Sequence, residues 1–286
     1  MGTVNLRPEN ELRSSCNMKY GVQLFGASKD FRKDTNEFFD RMNKVGITVI
    51  EPCILFDDAE EFKAKATNPF AKALPDLLWQ PHEAKIFKAV LDEKGMALES
   101  AHYFGSDIKG HIELMIKTAE ESGIKAYVFN IRGDAMDDID AFCDTLTYTA
   151  AELKKAGIDC WLHNGGEDFV NKIGDMPIYE YVLTHTEGVS AQVDTGWVLA
   201  GGYDYIEFIK KYDEKVKGIH IKEMHKDYKN RQGFDRFAVL GEGVTDIKAI
   251  FAIADGRSIV IDQDMSFGDF IVDLENSAAA LKANEN

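Results

Sequence analysis

Short apolar runs alternate along this chain with longer segments whose hydrophobic residues recur at helical spacing. From Tyr20, YGVQLF reads as a strand, and the segment from Asp34 follows as a helix with Phe38, Phe39, Met42 and Val45 on one face. ITVIE (47–51) is a second strand. PHEAKIFKAVLDEKG is then a helix, with Pro81 suited to its first turn and Gly95 to its stop. ALESAH leads into a helix carrying Ile108, Ile112, Met115 and Ala119, and KAYVFN into a long helix over about 136–155. Later strands begin at IDCWLH, VSAQVD, KGIHIK and SIVID, with helices near 178–185, 203–212, 245–254 and 273–281.

Strands separated by helices pair in parallel, and eight such units in 286 residues predict an α/β fold, a (β/α)8 barrel in a single domain over residues 19–286. An open doubly wound sheet is the runner-up, but no G-x-G-x-x-G follows the first strand. Residues 1–18 read as a polar arm. Two long connections, 52–80 and 223–243, follow strands and so belong to the face where barrels of this kind do chemistry. The first holds Phe56, Phe62, Phe70 and Trp79, and is expected to cover the mouth and supply an aromatic wall.

Composition narrows the function classes. A 45% hydrophobic content can bury a large core. A formal net charge of −16 argues against nucleic acid and anionic membrane surfaces as partners. Four scattered cysteines, with no C-x-x-C pair, read as reduced thiols of a cytoplasmic protein. The N-terminus lacks an apolar signal core, and no run is long enough for a membrane helix. Homo-oligomerisation is left open.

Candidate chemistry gathers at the strand ends, which close on Glu51, His102, Asn130, His163, Asp194, His220 and Asp262. One polar residue there is an ordinary turn former, but seven converging on one rim describe a site. Side chains alternate along a strand, so Gly218, His220 and Lys222 share the inward face if Ile219 and Ile221 pack on the helices. Asp194 then points with Gln192 and Ser190, and Asp262 with Val260 and Asp264. Two imidazoles and two carboxylates from the last four strands can meet, a donor set suited to one divalent ion such as Mn²⁺, Mg²⁺, Co²⁺ or Zn²⁺.

The segments VDTGWVLAGGYDYIEFIKKYDEKVKGIHIKEM, VLGEGVTDI and VIDQD, with ESAH and LHNGGEDF, resemble the xylose-isomerase-like sugar isomerase/epimerase barrels from Gly21 nearly to the C-terminus. The resemblance implies one divalent cation held at the ends of strands five to eight. It places the ligands at His163, Asp194, His220 and Asp262, with histidine and aspartate where the family's ketose epimerases carry two glutamates. It further implies proton transfer next to a carbonyl on a sugar or sugar derivative.

His163, Asp262 and Glu167 are candidate bases, and Lys222 a candidate for stabilising developing negative charge. Lys222 has an alternative as a structural ion pair with Glu223 or Glu51. His102, Trp197, Glu51 and Asn130 are candidate substrate contacts, and Glu242 a loop anchor. The competing enzyme reading is a metal-dependent lyase of the inosose-dehydratase kind, eliminating water from a keto-sugar or keto-inositol. Endonuclease-type phosphodiester cleavage lacks a basic surface here, and a non-enzymatic sugar-binding barrel is the remaining reading.

Overall fold

Parallel neighbours need a crossover between them, so eight strand–helix units can close into a ring when the last strand reaches the first. The computed structural model, which describes residues 18–254 and 256–285, closes that ring. Strand β1 is Tyr20–Gln23, β2 runs as Val49–Glu51 and Cys53–Leu55, and β3 as Ala97–Leu98 and Ser100–Phe104. They are followed by β4 (Ala126–Asn130), β5 (Asp159–His163), β6 (Val189–Asp194), β7 (Val216–Ile221) and β8 (Ser258–Ile261). Each pairs in parallel with its neighbours in sequence, and β8 meets β1 with Ile261 opposite Val22. The chain is the (β/α)8 barrel its pattern predicts. The expected arm, apart from Met18, falls outside the described residues.

Several boundaries differ from the sequence reading. β1 stops at Gln23 rather than Phe25, because the Gln23 carboxamide oxygen accepts the Phe25 N–H at 2.7 Å and turns the chain outward. β2 continues past Glu51: Pro52 has no N–H and interrupts the ladder, but its carbonyl accepts from His102 N at 2.8 Å. The strand therefore resumes at Cys53, paired with His102, and β3 extends to Phe104. Four helices escaped the periodicity: two within the 52–80 connection, and Ser28–Lys33 and Thr195–Ala200, each a six-residue turn at a strand's exit. The helix expected from Asp34 is Thr35–Lys44, with the Asp34 carboxylate as N-cap at 2.9 Å from Glu37 N.

Apolar residues fill the space between strands and helices. Phe31, Phe38 and Phe39 lie fully buried against Trp79 and Phe87. Inside the barrel, space is rationed by glycine. A Cβ on Gly218 would lie 3.1 Å from the Trp161 ring and 3.3 Å from the Gln192 side chain. The indole and the carboxamide thus form a packed layer beneath the mouth, and that layer supports the polar residues above it.

The connection after β2 contains the helices Ala59–Lys65 and Pro69–Leu77, capped by Asp58 and Asn68. Of its four aromatic residues, Phe70 reaches the mouth, where it packs edge-on against Phe25, which in turn stacks on Phe104. Phe56 and Trp79 instead turn into the core against Tyr103 and Phe31, and Phe62 lines a neighbouring cavity. The aromatic wall exists, but Phe25, Phe70 and Phe104 build it.

Candidate metal centre and substrate cavity

Strand register brings the polar termini together. Asn130 lies opposite His163, His163 opposite Gln192, and Asp194 opposite His220. One ligand atom from each of His163, Asp194, His220 and Asp262 falls within 4.8 Å of the other three, and all four side chains are buried. Their ring and carboxylate atoms face one another because all four obey the inward parity of their strands.

Each of the four side chains is held by a second contact. The Asp194 carboxylate accepts the Trp197 N–H at 2.9 Å, capping the helix Thr195–Ala200, while the Asn164 amide brackets its backbone at 2.8 and 3.1 Å. His163 Nδ1 lies 3.1 Å from the Gln192 carboxamide oxygen and donates to it, which leaves Nε2 with its lone pair. His220 Nδ1 is 3.0 Å from Asp262, and its Nε2 is 2.6 Å from Glu51.

Glu51 was expected to touch substrate; it has no exposed surface and lies under the ligands. Its carboxylate accepts from His220, from His102 Nε2 at 3.0 Å, from Gln192 Nε2 at 2.7 Å, and from the Ser100 hydroxyl. A carboxylate enclosed by four donors cannot reach a substrate, but it orients both imidazoles.

Electrostatics follow from this packing. Burial opposes the Glu51 charge, but the His220 and His102 imidazoles outweigh it and hold the carboxyl well below the usual range. Burial would also lower His220, yet Glu51 and Asp262 push it up to about 10. His163 is driven the other way, by burial and by His220 and His102, and stays neutral. Burial, against the pull of Lys222, raises Asp194 to about 7, whereas Lys222 and His220 overcome burial at Asp262 and hold it well below its ordinary value.

Lys222 pairs with neither Glu51 nor Glu223. Its ammonium lies 3.0 Å from Asp194, 3.1 Å from Asp262 and 2.6 Å from Asp264, beneath the faces of Trp197 and Phe237 at 5.3 and 4.9 Å. Three carboxylates raise its pKa well above normal despite burial, so it is a permanent cation at the cavity floor. Glu223 instead accepts the N–H groups of Met224, Gly241, Val244 and Thr245 at 2.8–3.0 Å. It fills the anchoring role expected of Glu242, which is exposed.

A cavity of about 550 Å³ opens over this floor, lined by His102, Asn130, His163, Glu167, Trp197, Lys222 and Asp262 among others. Glu51, Asp194 and His220 lie below it. Sequence reasoning placed Asp264 on the inward face without a role and passed over Asp168 and Arg132; all three also line the cavity. Asp264 and Arg132 each stand two positions beyond a named residue, so inward parity was the available signal. Asp168 had none: it comes from the loop after β5, where its carboxylate accepts the Gly165 N–H at 2.7 Å and burial raises it to about 6.

The residues present fit a divalent ion. Asp262 Oδ1 is buried without a hydrogen-bond partner among the described residues, Asp194 Oδ2 meets the Lys222 ammonium at 3.0 Å but no hydrogen-bond donor besides, and His163 Nε2 is uncommitted. Stranded buried acceptors are costly, and a cation at their centre would satisfy them. His220 completes the set through Nδ1 with Nε2–H on Glu51, the carboxylate–histidine pairing usual behind a bound metal.

Solved structures with this architecture include a sugar phosphate isomerase/epimerase from Parabacteroides distasonis, at a TM-score of 0.69 and 20% identity over 97% of this chain and 98% of that one. D-psicose 3-epimerase from Clostridium cellulolyticum H10, solved with D-tagatose, gives 0.64 at 15% identity over 93% and 98% of the two chains. The IolI protein, solved with a bound zinc atom, gives 0.60 at 16% identity over 93% and 96%. No curated protein matches the sequence. The sequence pattern of the xylose isomerase-like TIM barrels matches residues 39–259, and the chain belongs to that family.

Proposed function

We propose that the protein is a divalent-metal-dependent isomerase or epimerase that moves a proton next to the carbonyl of a sugar or sugar derivative. The observation that carries this reading is the convergence of His163, Asp194, His220 and Asp262 within 4.8 Å at the floor of a sugar-sized cavity. The epimerase likeness and the zinc-bound relative support it. When bound, the ion supplies Lewis acidity toward a carbonyl and its neighbouring hydroxyl.

The chain's own groups divide the remaining work. Lys222, fixed as a cation by three carboxylates, offsets negative charge developing above the floor. His102, with Nε2–H committed to Glu51 and Nδ1 3.4 Å from the Asn130 oxygen, presents a ring edge to the cavity beside the Asn130 amide. Trp197 offers an apolar face to the sugar. Glu167 is an exposed carboxylate on the cavity wall, and Asp168, raised to about 6, is suited to accept and return a proton near neutrality.

The test is elemental analysis of the purified protein, followed by a nuclear magnetic resonance screen for proton exchange in D₂O over aldoses, ketoses and keto-sugars. Stoichiometric metal with metal-dependent exchange is expected. A chain that takes no ion, or a loaded one that exchanges nothing, ends the proposal. A new ultraviolet enone absorbance would move the reaction to the elimination class.

A further inference from the structure

One cation on the cavity wall has no part in the site described above. Arg132 follows Asn130 by two positions, where β4 leaves the barrel, and its side chain is exposed into the cavity. The other five arginines among the described residues all donate hydrogen bonds: Arg32, Arg41, Arg231 and Arg257 to carboxylates, Arg236 to a carbonyl. Arg132 donates to nothing among the described residues. Its guanidinium carbon stands 4.3 Å from the centre of the Phe104 ring.

That ring is a rigid support. Phe104 is buried and stacked on Phe25 at 6.2 Å, and Phe70 closes on Phe25 from the rim at 6.3 Å. A guanidinium lying over an aromatic face keeps its N–H edges free, in a planar fork matched to two oxygens of one anion. Asp168 and Asp264 act on Arg132 across space without pairing with it. In a chain of formal net charge −16, a cation on a pocket wall that pairs with no carboxylate among the described residues is not a by-product of composition. Lys222 does not fill the same role: its ammonium has no planar fork and sits at the floor against three carboxylates, not on the wall.

We propose that Arg132 docks an oxyanion of the substrate, so that the sugar taken by this cavity carries a carboxylate or a phosphate. Phe104 presents the fork, and the reacting carbon lies toward His163 and Asp262, which line the same cavity. This inference rests on the carbonyl-sugar reading, but its test does not depend on turnover.

D-glucose, D-glucuronate and D-glucose 6-phosphate differ only at C6 and serve as probes. Each is titrated by calorimetry into Mn²⁺-treated protein, for the wild type, Arg132→Gln and Arg132→Lys, with metal content and melting temperature measured on every sample. One of the two anions should bind about 10-fold to 100-fold more tightly than glucose. Preference for glucuronate identifies a carboxylate, and preference for the phosphate ester a phosphoryl group. Arg132→Gln should erase the difference while metal content holds. Arg132→Lys, with its charge but no fork, should keep part of it, and decides the matter if Arg132→Gln fails to fold. Equal affinity for all three probes, including no binding by any, overturns the proposal. So does an anion preference that survives in Arg132→Gln, since the anion is then held elsewhere. Wild-type protein that shows the preference but takes no metal defeats the isomerase reading and leaves this one standing.

Discussion

The two halves of the barrel mouth handle charge in opposite ways. At the ends of β5 to β8, His163, Asp194, His220 and Asp262 are packed against one another, with Lys222 and Asp264 tied into the same cluster. Around β1 to β4 the rim is mostly aromatic, made by Phe25, Phe70 and Phe104, and Arg132 stands on it with no hydrogen-bond partner among the described residues. Glu51 comes from the aromatic half but serves the other, reaching beneath the floor to His220, and His102 on the cavity wall donates to the same carboxylate. One half therefore has the means to hold an ion and move protons, and the other to hold and orient a ligand. A barrel allows this division because each strand contributes its terminus independently.

The sharpest way to break the comparison is to remove a ligand. Asp194→Asn keeps the shape and can still cap the helix Thr195–Ala200, since Asn caps as well as Asp. It should nevertheless lose stoichiometric Mn²⁺ and all exchange activity, as should His220→Ala; metal analysis and melting curves with and without Mn²⁺ check both. Next in size is Lys222→Met, which leaves three buried or nearly buried carboxylates facing one another. Breaking one side of such a cluster costs roughly 3–5 kcal/mol, read as a lower denaturation midpoint. An unchanged midpoint would mean that those carboxylates are protonated rather than ion-paired.

Glu51→Gln is isosteric and touches no substrate, yet it withdraws the negative partner of His220 and His102. Mn²⁺ affinity should fall about 10–100-fold by competitive chelator titration. A smaller effect belongs to protons. His220, pushed up to about 10 by Glu51 and Asp262, carries a proton at neutral pH that an arriving ion must displace. Mn²⁺ affinity should therefore rise roughly tenfold per pH unit above neutrality, and more steeply below it, where Asp194, raised to about 7, also takes up a proton. Calorimetry in buffers of different ionisation enthalpy counts the protons released. Smallest of all, Phe234→Ala on the exposed rim should raise KM a few-fold and leave stability within about 0.5 kcal/mol, because the residue lines the cavity without being buried.

Within the strands, alternation was enough to read the mouth. Parity alone predicts that Asp194, His220 and Asp262 face inward, and all three do. Past the ladder the rule weakens. Parity extended by two positions points Asp264 and Arg132 inward but gives them no partners, and Asp168 lies in a loop whose turn one sequence does not disclose. Glu51 shows the other limit: its parity was right, but its depth was not. Depth depends on how the strands stagger around the ring, and β2 runs on past Pro52, which leaves Glu51 under the floor. The partners of Lys222 were missed for a related reason. Asp194, Asp262 and Asp264 are far from it in sequence, while the neighbour Glu223 points away into its own loop.

That turn of Glu223 has a consequence for how this protein can change over generations. One carboxylate receives the amides of Met224 at the start of a loop and of Gly241, Val244 and Thr245 at its end, so the loop's two feet are tied at a single point. The tie is tight: a Cβ on Gly243 would stand 1.9 Å from the Met224 carbonyl oxygen. Between the feet, the stretch carries Phe234 over the cavity, while Phe237 keeps its ring 4.9 Å from the Lys222 ammonium. Insertions, deletions and exchanged sequences that keep Phe237 can be tried by drift without loosening the carboxylate-lined floor. The segment behaves as a cassette, and a foreign loop grafted between the same two feet is a direct route to a barrel that accepts a different sugar.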